Sequence, residues 1–110
     1  MNHLVEQDGD VTVLHIRGEL DALSCSDIRP VLDSIVENGR RIVSLNLSEL
    51  RLIDSSGVGA IVSLYKRVRG AGGEVVVAGL RDQPLAIFRL LRLDRVMIGA
   101  ELPVPSANSR

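Results

Sequence analysis

The sequence predicts a single small α/β domain in which helices pack against a sheet. Patterns typical of strands and of helices alternate along the chain after an opening hairpin, as in layered α/β folds. The length of 110 residues suits one domain, and 45% hydrophobic residues are enough to form its core. That core is expected to be aliphatic, because the chain has one Phe, one Tyr and no Trp.

Four strand-like segments carry β-branched and aliphatic residues and end at turn signals. They span residues 4–7, 11–17, 41–47 and 74–79. Asp8-Gly9 is a strong turn dipeptide and predicts that the first two strands form a hairpin. The fourth segment is mostly apolar, so we expect it to be buried on both faces. A last short strand is expected at Val96-Met97-Ile98.

Three helices are predicted from apolar residues spaced three and four apart. These are Ile28, Leu32, Ile35 and Val36 in the first helix, Ile61, Leu64, Tyr65 and Val68 in the second, and Leu85, Phe88 and Leu91 in the third. Pro30 would remove a hydrogen bond from the interior of the first helix. We therefore expect that helix to begin after Ser24, with Ser26 or Asp27 as its cap, or else to bend. Pro84 fits the first position of the third helix.

Most familiar catalytic and ligand-binding chemistries lack their residues in this chain. His3 and His15 lie on or near different strands, so no metal cluster is expected. The sequence has neither a phosphate-binding GxxxxGK[ST] loop nor a GxSxG motif with a histidine after it. Cys25 has no nearby histidine and is expected to be a small buried hydrophobe. We therefore expect no enzyme activity, no cofactor and no metal.

Charge and composition also narrow the partners and the compartment. A net charge of −1 gives no global field for nucleic acid or an acidic membrane. Lys66, Arg67 and Arg69 cluster late in the second helix, where cations suit the helix dipole, and no aromatics interleave them. One cysteine, no signal peptide and no apolar run of about 20 residues predict a cytoplasmic protein. Residues 103–110 are expected to be a disordered tail.

The most informative segment is the run over residues 53–59, between the third strand and the second helix. Asp54, Ser55 and Ser56 fall where that helix starts, beside unpaired backbone N–H groups and a partial positive charge. A hydroxyl presented there can be phosphorylated, and the helix end can tolerate the dianion. The alternative is that these residues are only helix caps, which contribute about 1 kcal/mol without any function.

Two further features favour a docking site over a simple cap. Gly57 and Gly59 in the first helical turn each cost the helix about 1 kcal/mol. We expect Gly57 to face outward and to leave room for another molecule. Glu19 and Asp21 follow the second strand and could lie across the strand ends from Asp54, although turn and capping roles remain equally open for them.

These motifs, in this order, resemble the STAS domain, and more narrowly a bacterial anti-sigma factor antagonist. The resemblance covers nearly all of residues 4–100 and rests on Gly18-Glu19-Leu20-Asp21, the strand over 42–47, the loop over 53–59 and the segment over 73–77. It implies one STAS domain over residues 1–102. It also implies a mixed sheet of four or five strands with helices packed on one face.

The resemblance further implies a regulatory cycle. An anti-sigma factor that is itself an ATP-dependent serine kinase would phosphorylate Ser55, and a PP2C-type phosphatase would reverse this. The unphosphorylated form would bind the kinase and free a sigma factor. Ser56 would be a helix cap rather than a second acceptor. The residues implied in partner binding are Asp21, Asp54, Ser56, Gly57 and Val58.

Two other classes of function stay open at this point. One is a STAS sensing or scaffold module that binds a small ligand or a transport or regulatory partner without phosphorylation. A weaker one is an enzyme that uses the loop for acyl or phosphoryl chemistry on small molecules. Incubation with a candidate kinase, ATP and magnesium separates the first function from both others.

Overall fold

The predicted alternation of strands and helices is present in the computed structural model, which describes residues 1–39 and 41–97. The elements are β1 Asn2–Asp8, β2 Val11–Leu20, α1 Ala22–Glu37, β3 Ile42–Ile53, α2 Ser55–Gly70, β4 Glu74–Ala78, α3 Asp82–Leu90 and α4 Asp94–Met97. The strand order is β1-β2-β3-β4, with β1 antiparallel to β2 and the other pairs parallel. The predicted α/β class with a mixed sheet is confirmed, and the described sheet has four strands.

The core lies between one face of the sheet and the helices. Alternate residues of the strands point to this face, because successive side chains of a strand alternate between its two sides. The residues of this cluster that come from the two longest strands, β2 and β3, are Leu14, Ile16, Leu20, Val43, Leu45, Leu47, Leu50 and Ile53. They pack against Ile61, Leu64 and Phe88, which the helical spacing had placed in the core. No Trp takes part, and Phe88 is the single aromatic ring of this cluster.

Helix α1 starts earlier than the sequence suggested. It begins at Ala22, so the expectation of a start after Ser24 is wrong, and Pro30 lies inside the helix. Asp21 is the cap: its side chain accepts a hydrogen bond from the Ser24 N–H, and the Ser24 hydroxyl accepts one from the Asp21 N–H. Pro30 and Ser26 are both exposed, so water can reach the Ser26 carbonyl that the proline leaves without a helical partner.

Strand β3 is longer than expected, because it continues past residue 47 to Ile53. The pairing of β2 with β3 shifts register between His15 and Arg17 and again between Gly18 and Glu19. Such irregularities break the alternation of polar and apolar residues by which a strand is recognised in a sequence. After both shifts, Leu20 pairs with Ile53, so the two parallel strands end side by side.

Strand β4 is buried mainly on one face. Val75 and Val77 are buried, whereas Val76 and Ala78 on the other face are half-buried, so the expectation of burial on both faces is wrong.

The third predicted helix is present, with two differences. Pro84 is the third residue of α3 rather than the first, and Leu91 is 51% exposed instead of facing the core. Val96 and Met97 belong to the helical turn α4 and not to a strand. Ile98 and the predicted tail over 103–110 lie outside the described residues.

Candidate functional site

Two helices begin next to each other at the ends of the parallel strands β2 and β3. Leu20 and Ile53 pair across these ends, and α1 and α2 start directly after them at Ala22 and Ser55. The main-chain N–H of Asp54 donates to the carbonyl oxygen of Leu20 at 3.2 Å. The fold therefore brings two positive helix ends together at the carboxyl edge of the sheet, where α/β proteins commonly bind other molecules.

Asp54 joins the two helix starts through its carboxylate. Its Oδ1 accepts the Gly57 N–H at 3.0 Å and caps α2, and its Oδ2 accepts the Ala22 N–H at 3.2 Å in the first turn of α1. The expectation that Asp21 lies across the strand ends from Asp54 is confirmed, because Asp54 bonds the N–H of Ala22, which is the residue directly after Asp21. Main-chain N–H groups thus donate to both oxygens of Asp54, and these two bonds hold the carboxylate in place beside Ser55.

Asp21 is the equivalent cap of α1. Its pKa is lowered from the usual value, first by the hydrogen bond from the Ser24 main chain and then by the one from the Ser24 side chain. Glu19 has a different role: its side chain lies 3.5 Å from Arg51, and its carbonyl oxygen accepts the Ser24 hydroxyl. Of the two carboxylates singled out near the end of β2, Asp21 lies at the paired helix starts, and Glu19 contacts them only through its main chain, which bonds the Ser24 hydroxyl.

Ser55 is the first residue of α2 and is exposed. Its hydroxyl makes no hydrogen bond to any of the residues that the structure describes, so the oxygen is available to react with a second molecule. Ser56 is the second residue of the helix and is half-buried. The expected capping role of Ser56 is wrong, because Asp54 occupies the cap position and makes the capping bond.

Gly57 does not face outward, contrary to the sequence-based expectation. It is buried, and a Cβ at this position would lie 2.5 Å from the Leu20 carbonyl oxygen and 2.7 Å from Cγ1 of Ile53. The glycine is required because α2 passes so close to the end of β2 that no side chain fits between them. Val58 is also buried, at 9% exposure. Neither residue offers a broad surface to a partner.

Gly59 has the open space that was expected at Gly57. It is exposed, and a Cβ there would meet nothing within 4 Å. Because Gly59 follows Ser55 by four residues on α2, the two lie on the same side of the helix, one turn apart. A partner that approaches Ser55 along α2 therefore passes over Gly59.

An apolar concavity of about 240 Å³ opens beside Ser55. Its apolar lining residues are Ile53, Val58, Ile87 and Leu91, and Asp54 and Ser55 complete it. The sequence had placed Leu91 in the core, so this feature was missed. No local signal in the sequence marks it, because the spacing of Leu85, Phe88 and Leu91 is that of one helix face whether that face meets the core or a partner.

The other reactive side chains fall into structural roles. Cys25 is 2% exposed, as expected, and burial together with the nearby Asp54 charge raises the pKa of its thiol. The imidazole of His15 contacts the Glu6 carboxylate at 2.7 Å and the Asn46 amide at 2.8 Å. Among residues 1–39 and 41–97, no group of three metal-ligating side chains comes together.

The basic residues late in α2 are partly tied up in ion pairs. Arg67 lies 2.9 Å from Asp33 of α1, and Arg69 lies 3.2 Å from Glu74 and over the ring of Tyr65. No helix in the described part of the chain is long and apolar enough to span a membrane.

A four-stranded mixed sheet packed against helices is the fold of a STAS domain. The STAS domain family model matches residues 2–106, and the chain belongs to this family. The anti-sigma-B factor antagonist of Listeria monocytogenes is 26% identical over 92 residues, which cover 84% of this chain and 81% of that protein. The anti-sigma F factor antagonist of Paenibacillus polymyxa is 27% identical over 94 residues, which cover 84% and 80%.

Solved structures show the same fold. The Bacillus cell fate determinant SpoIIAA in its phosphorylated form is 21% identical with a TM-score of 0.73, over 91% of this chain and 93% of that chain. Its unphosphorylated form is 20% identical with a TM-score of 0.68, over 86% and 97%. Anti-sigma factor antagonists of this family are regulatory binding proteins and not enzymes.

Proposed function

We propose that this chain is an anti-sigma factor antagonist that works by partner switching in the cytoplasm. Its unphosphorylated form binds an anti-sigma factor serine kinase and so releases a sigma factor, and phosphorylation of Ser55 ends that binding. The observation that carries the proposal is the exposed Ser55 hydroxyl at the first position of α2, directly after the capping carboxylate of Asp54. The names of the curated relatives support the same role.

The chain contributes the nucleophile and its presentation, and the partner contributes the nucleotide. Ser55 Oγ attacks the γ-phosphorus of ATP held by the kinase. The bond between that phosphorus and the oxygen bridging it to the β-phosphate breaks, ADP leaves, and the serine proton passes to a base of the kinase. Asp54 is a positioning residue, because both of its oxygens accept main-chain hydrogen bonds. A PP2C-type phosphatase restores the hydroxyl by hydrolysis.

The free energy of the switch comes from the interface rather than from the helix end. Phosphorylation adds a charge of about −1.5 to −2. The dipole of α2 contributes only about 0.3–1 kcal/mol, in the free and in the bound protein alike. A hundredfold loss of affinity requires about 2.7 kcal/mol. Burial of the dianion against the fixed carboxylates of Asp54 and Asp21 supplies that difference when a partner excludes water.

The position of Ser55 also explains how modification can leave the fold intact. An exposed first-turn residue changes no core contact when it gains a phosphoryl group, and a helix N-terminus favours an anion. The likeness of this chain to both forms of SpoIIAA is consistent with a fold that accommodates either state.

The decisive experiment pairs Ser55→Ala with Ser56→Ala. Each protein is incubated with the anti-sigma factor kinases of the same genome, ATP and magnesium, and intact mass and peptide mapping follow. We expect one phosphoryl group on the wild type and on the Ser56 variant, and none on the Ser55 variant. Phosphate on Ser56 would overturn the assignment. A chain that no kinase modifies would instead favour a sensing or scaffold module that acts without phosphorylation.

A further inference from the structure

Gln83 of α3 pairs its side-chain amide with the main chain of Ile53. The Ile53 N–H donates to Oε1 of Gln83 at 2.9 Å, and Nε2 of Gln83 donates to the Ile53 carbonyl oxygen at 2.9 Å. Ile53 is the last residue of β3 and lies two positions before Ser55. The neighbouring strand β4 ends at Ala78, which pairs with Asn46, so it does not reach Ile53. Gln83 thus takes the place of a strand residue at the end of β3.

The backbone before Gln83 adopts an unfavourable conformation. Asp82 has a φ of 55°, in the left-handed region that residues with a side chain seldom adopt. The residue preceding it, Arg81, occupies the cap position of α3 but makes no capping hydrogen bond with its side chain. Asp82 directly precedes Gln83, so the two bonds between Gln83 and Ile53 lie next to the point where the left-handed residue enters the helix.

Helix α3 also carries part of the concavity beside Ser55. Ile87 and Leu91 line that concavity, and Ile53 lines it from β3. The Gln83 clamp, meaning its two hydrogen bonds to Ile53, therefore joins the wall of the concavity to the segment that carries the acceptor serine.

We propose that Gln83 is a positioning residue for Ser55, and that its clamp presents the serine and the apolar wall of α3 to the kinase as one rigid surface. The proposal rests on the proposed function, since it assigns a role within the same site. Without the clamp, the end of β3 and the start of α3 move independently, and the kinase meets the serine in fewer productive orientations.

The test uses Gln83→Leu and Gln83→Glu. Leucine removes both hydrogen bonds. An ionised glutamate accepts the Ile53 N–H but repels the Ile53 carbonyl oxygen, whereas a protonated glutamate donates to that oxygen and restores the clamp. Gln7→Leu is the matched control: the Gln7 amide also makes two hydrogen bonds, to Gly9 and Thr12, at the opposite end of the sheet.

The first readout needs no kinase. Amide NMR follows the Ile53 N–H over a pH series in the wild type and in Gln83→Glu. Asp54 and Asp82 are present in both proteins, so the difference between the two series isolates residue 83. We expect the variant to return to the wild-type shift as its glutamate protonates, at a pH above the ordinary value of about 4.3 for a glutamate. An Ile53 shift that does not follow this protonation would overturn the clamp.

The second readout is kcat/KM for phosphorylation at neutral pH. We expect both Gln83 variants to lose about tenfold, as the loss of one to two hydrogen bonds implies, and Gln7→Leu to match the wild type. Phosphorylation of Gln83→Leu at the wild-type rate would overturn the role of Gln83 alone. A wild type that accepts no phosphoryl group would overturn the proposed function together with that role.

Discussion

Gly57 and Gly59 are predicted to respond in opposite ways to the same substitution. Both are glycines in the first turns of α2, but only Gly57 lies against another part of the chain. In Gly57→Ala the new methyl group would lie 2.5 Å from the Leu20 carbonyl oxygen. That oxygen is held in place, because it accepts the Asp54 N–H. The clash therefore has to be relieved by a shift of α2 away from the sheet.

The sizes of the two effects follow from this geometry. Overpacking a core costs about 1–3 kcal/mol, and a contact with main chain belongs to the upper part of that range. Alanine recovers about 1 kcal/mol of helix propensity, so Gly57→Ala should lose about 1–2 kcal/mol in free energy of unfolding. Gly59→Ala meets no atom within 4 Å and should gain up to about 1 kcal/mol. The two variants should differ in Tm by on the order of 10 °C.

Urea denaturation and thermal melting of both variants beside the wild type measure these changes, provided that the m-value stays constant. Equal stability of Gly57→Ala and Gly59→Ala would refute the close contact between α2 and the end of β2. Gly57 would then regain the docking role that its sequence position suggested. Gly57→Leu, which carries a larger side chain into the same contact, should fail to reach a folded state.

Four further outcomes are expected. Asp54→Ala should lose about 1–2 kcal/mol in free energy of unfolding, because it uncaps α2 and leaves the Ala22 N–H without its acceptor. Asp54→Asn should retain the bond to Gly57 and lose less. Urea titrations in which Asp54→Asn is no more stable than Asp54→Ala would contradict this. The pKa of Asp21 is lowered in the folded state, so the stability that its carboxylate contributes should be complete above the ordinary pKa of 3.8 and be lost as pH falls through the folded pKa. Urea titrations at several pH values should show this acid loss of stability in the wild type and not in Asp21→Asn. The same dependence of stability on pH in both proteins would count against the role of Asp21. Phosphorylation of Ser55 should move amide NMR signals near residues 20–24 and 53–60, and shifts spread through the sheet would argue against an unchanged fold. Gly59→Arg should fold normally but weaken kinase binding in calorimetric titration, and unchanged affinity would place the partner's footprint elsewhere.

The location of the site could be predicted from local sequence. A strand-like run, a carboxylate, two serines and a helical apolar spacing were enough to place a helix start at Asp54 and Ser55. Capping depends on residues within one turn, so a single segment contains the needed information. The predicted core residues Ile61, Leu64 and Phe88 are confirmed for a related reason, because their spacing is set by the helix itself.

What the sequence could not give depends on contacts between distant segments. Whether Gly57 faces solvent is decided by Leu20, which reaches it only after two register shifts between β2 and β3. The same shifts concealed the second half of β3. The apolar run at Val96 resembled a strand, yet it follows the left-handed Arg92 and closes a helical turn onto the Leu93 carbonyl. Residues close in sequence do not determine the burial of Gly57, the length of β3 or the helical turn at Val96.

The carboxylate of Asp54, which bonds the starts of both α1 and α2, ties the sensitivity of the proposed switch to the stability of the fold. A variant that tolerated phosphate at Ser55 by discarding the adjacent negative charge would also lose a main-chain hydrogen bond: Asp54→Asn gives up the bond from Ala22, and Asp54→Ala gives up the bonds from both Ala22 and Gly57. Random substitution therefore meets a barrier, since the changes that would blunt the signal also reduce the amount of folded protein. The charge beside Ser55 therefore has a structural duty at two helix starts that does not depend on the proposed signal.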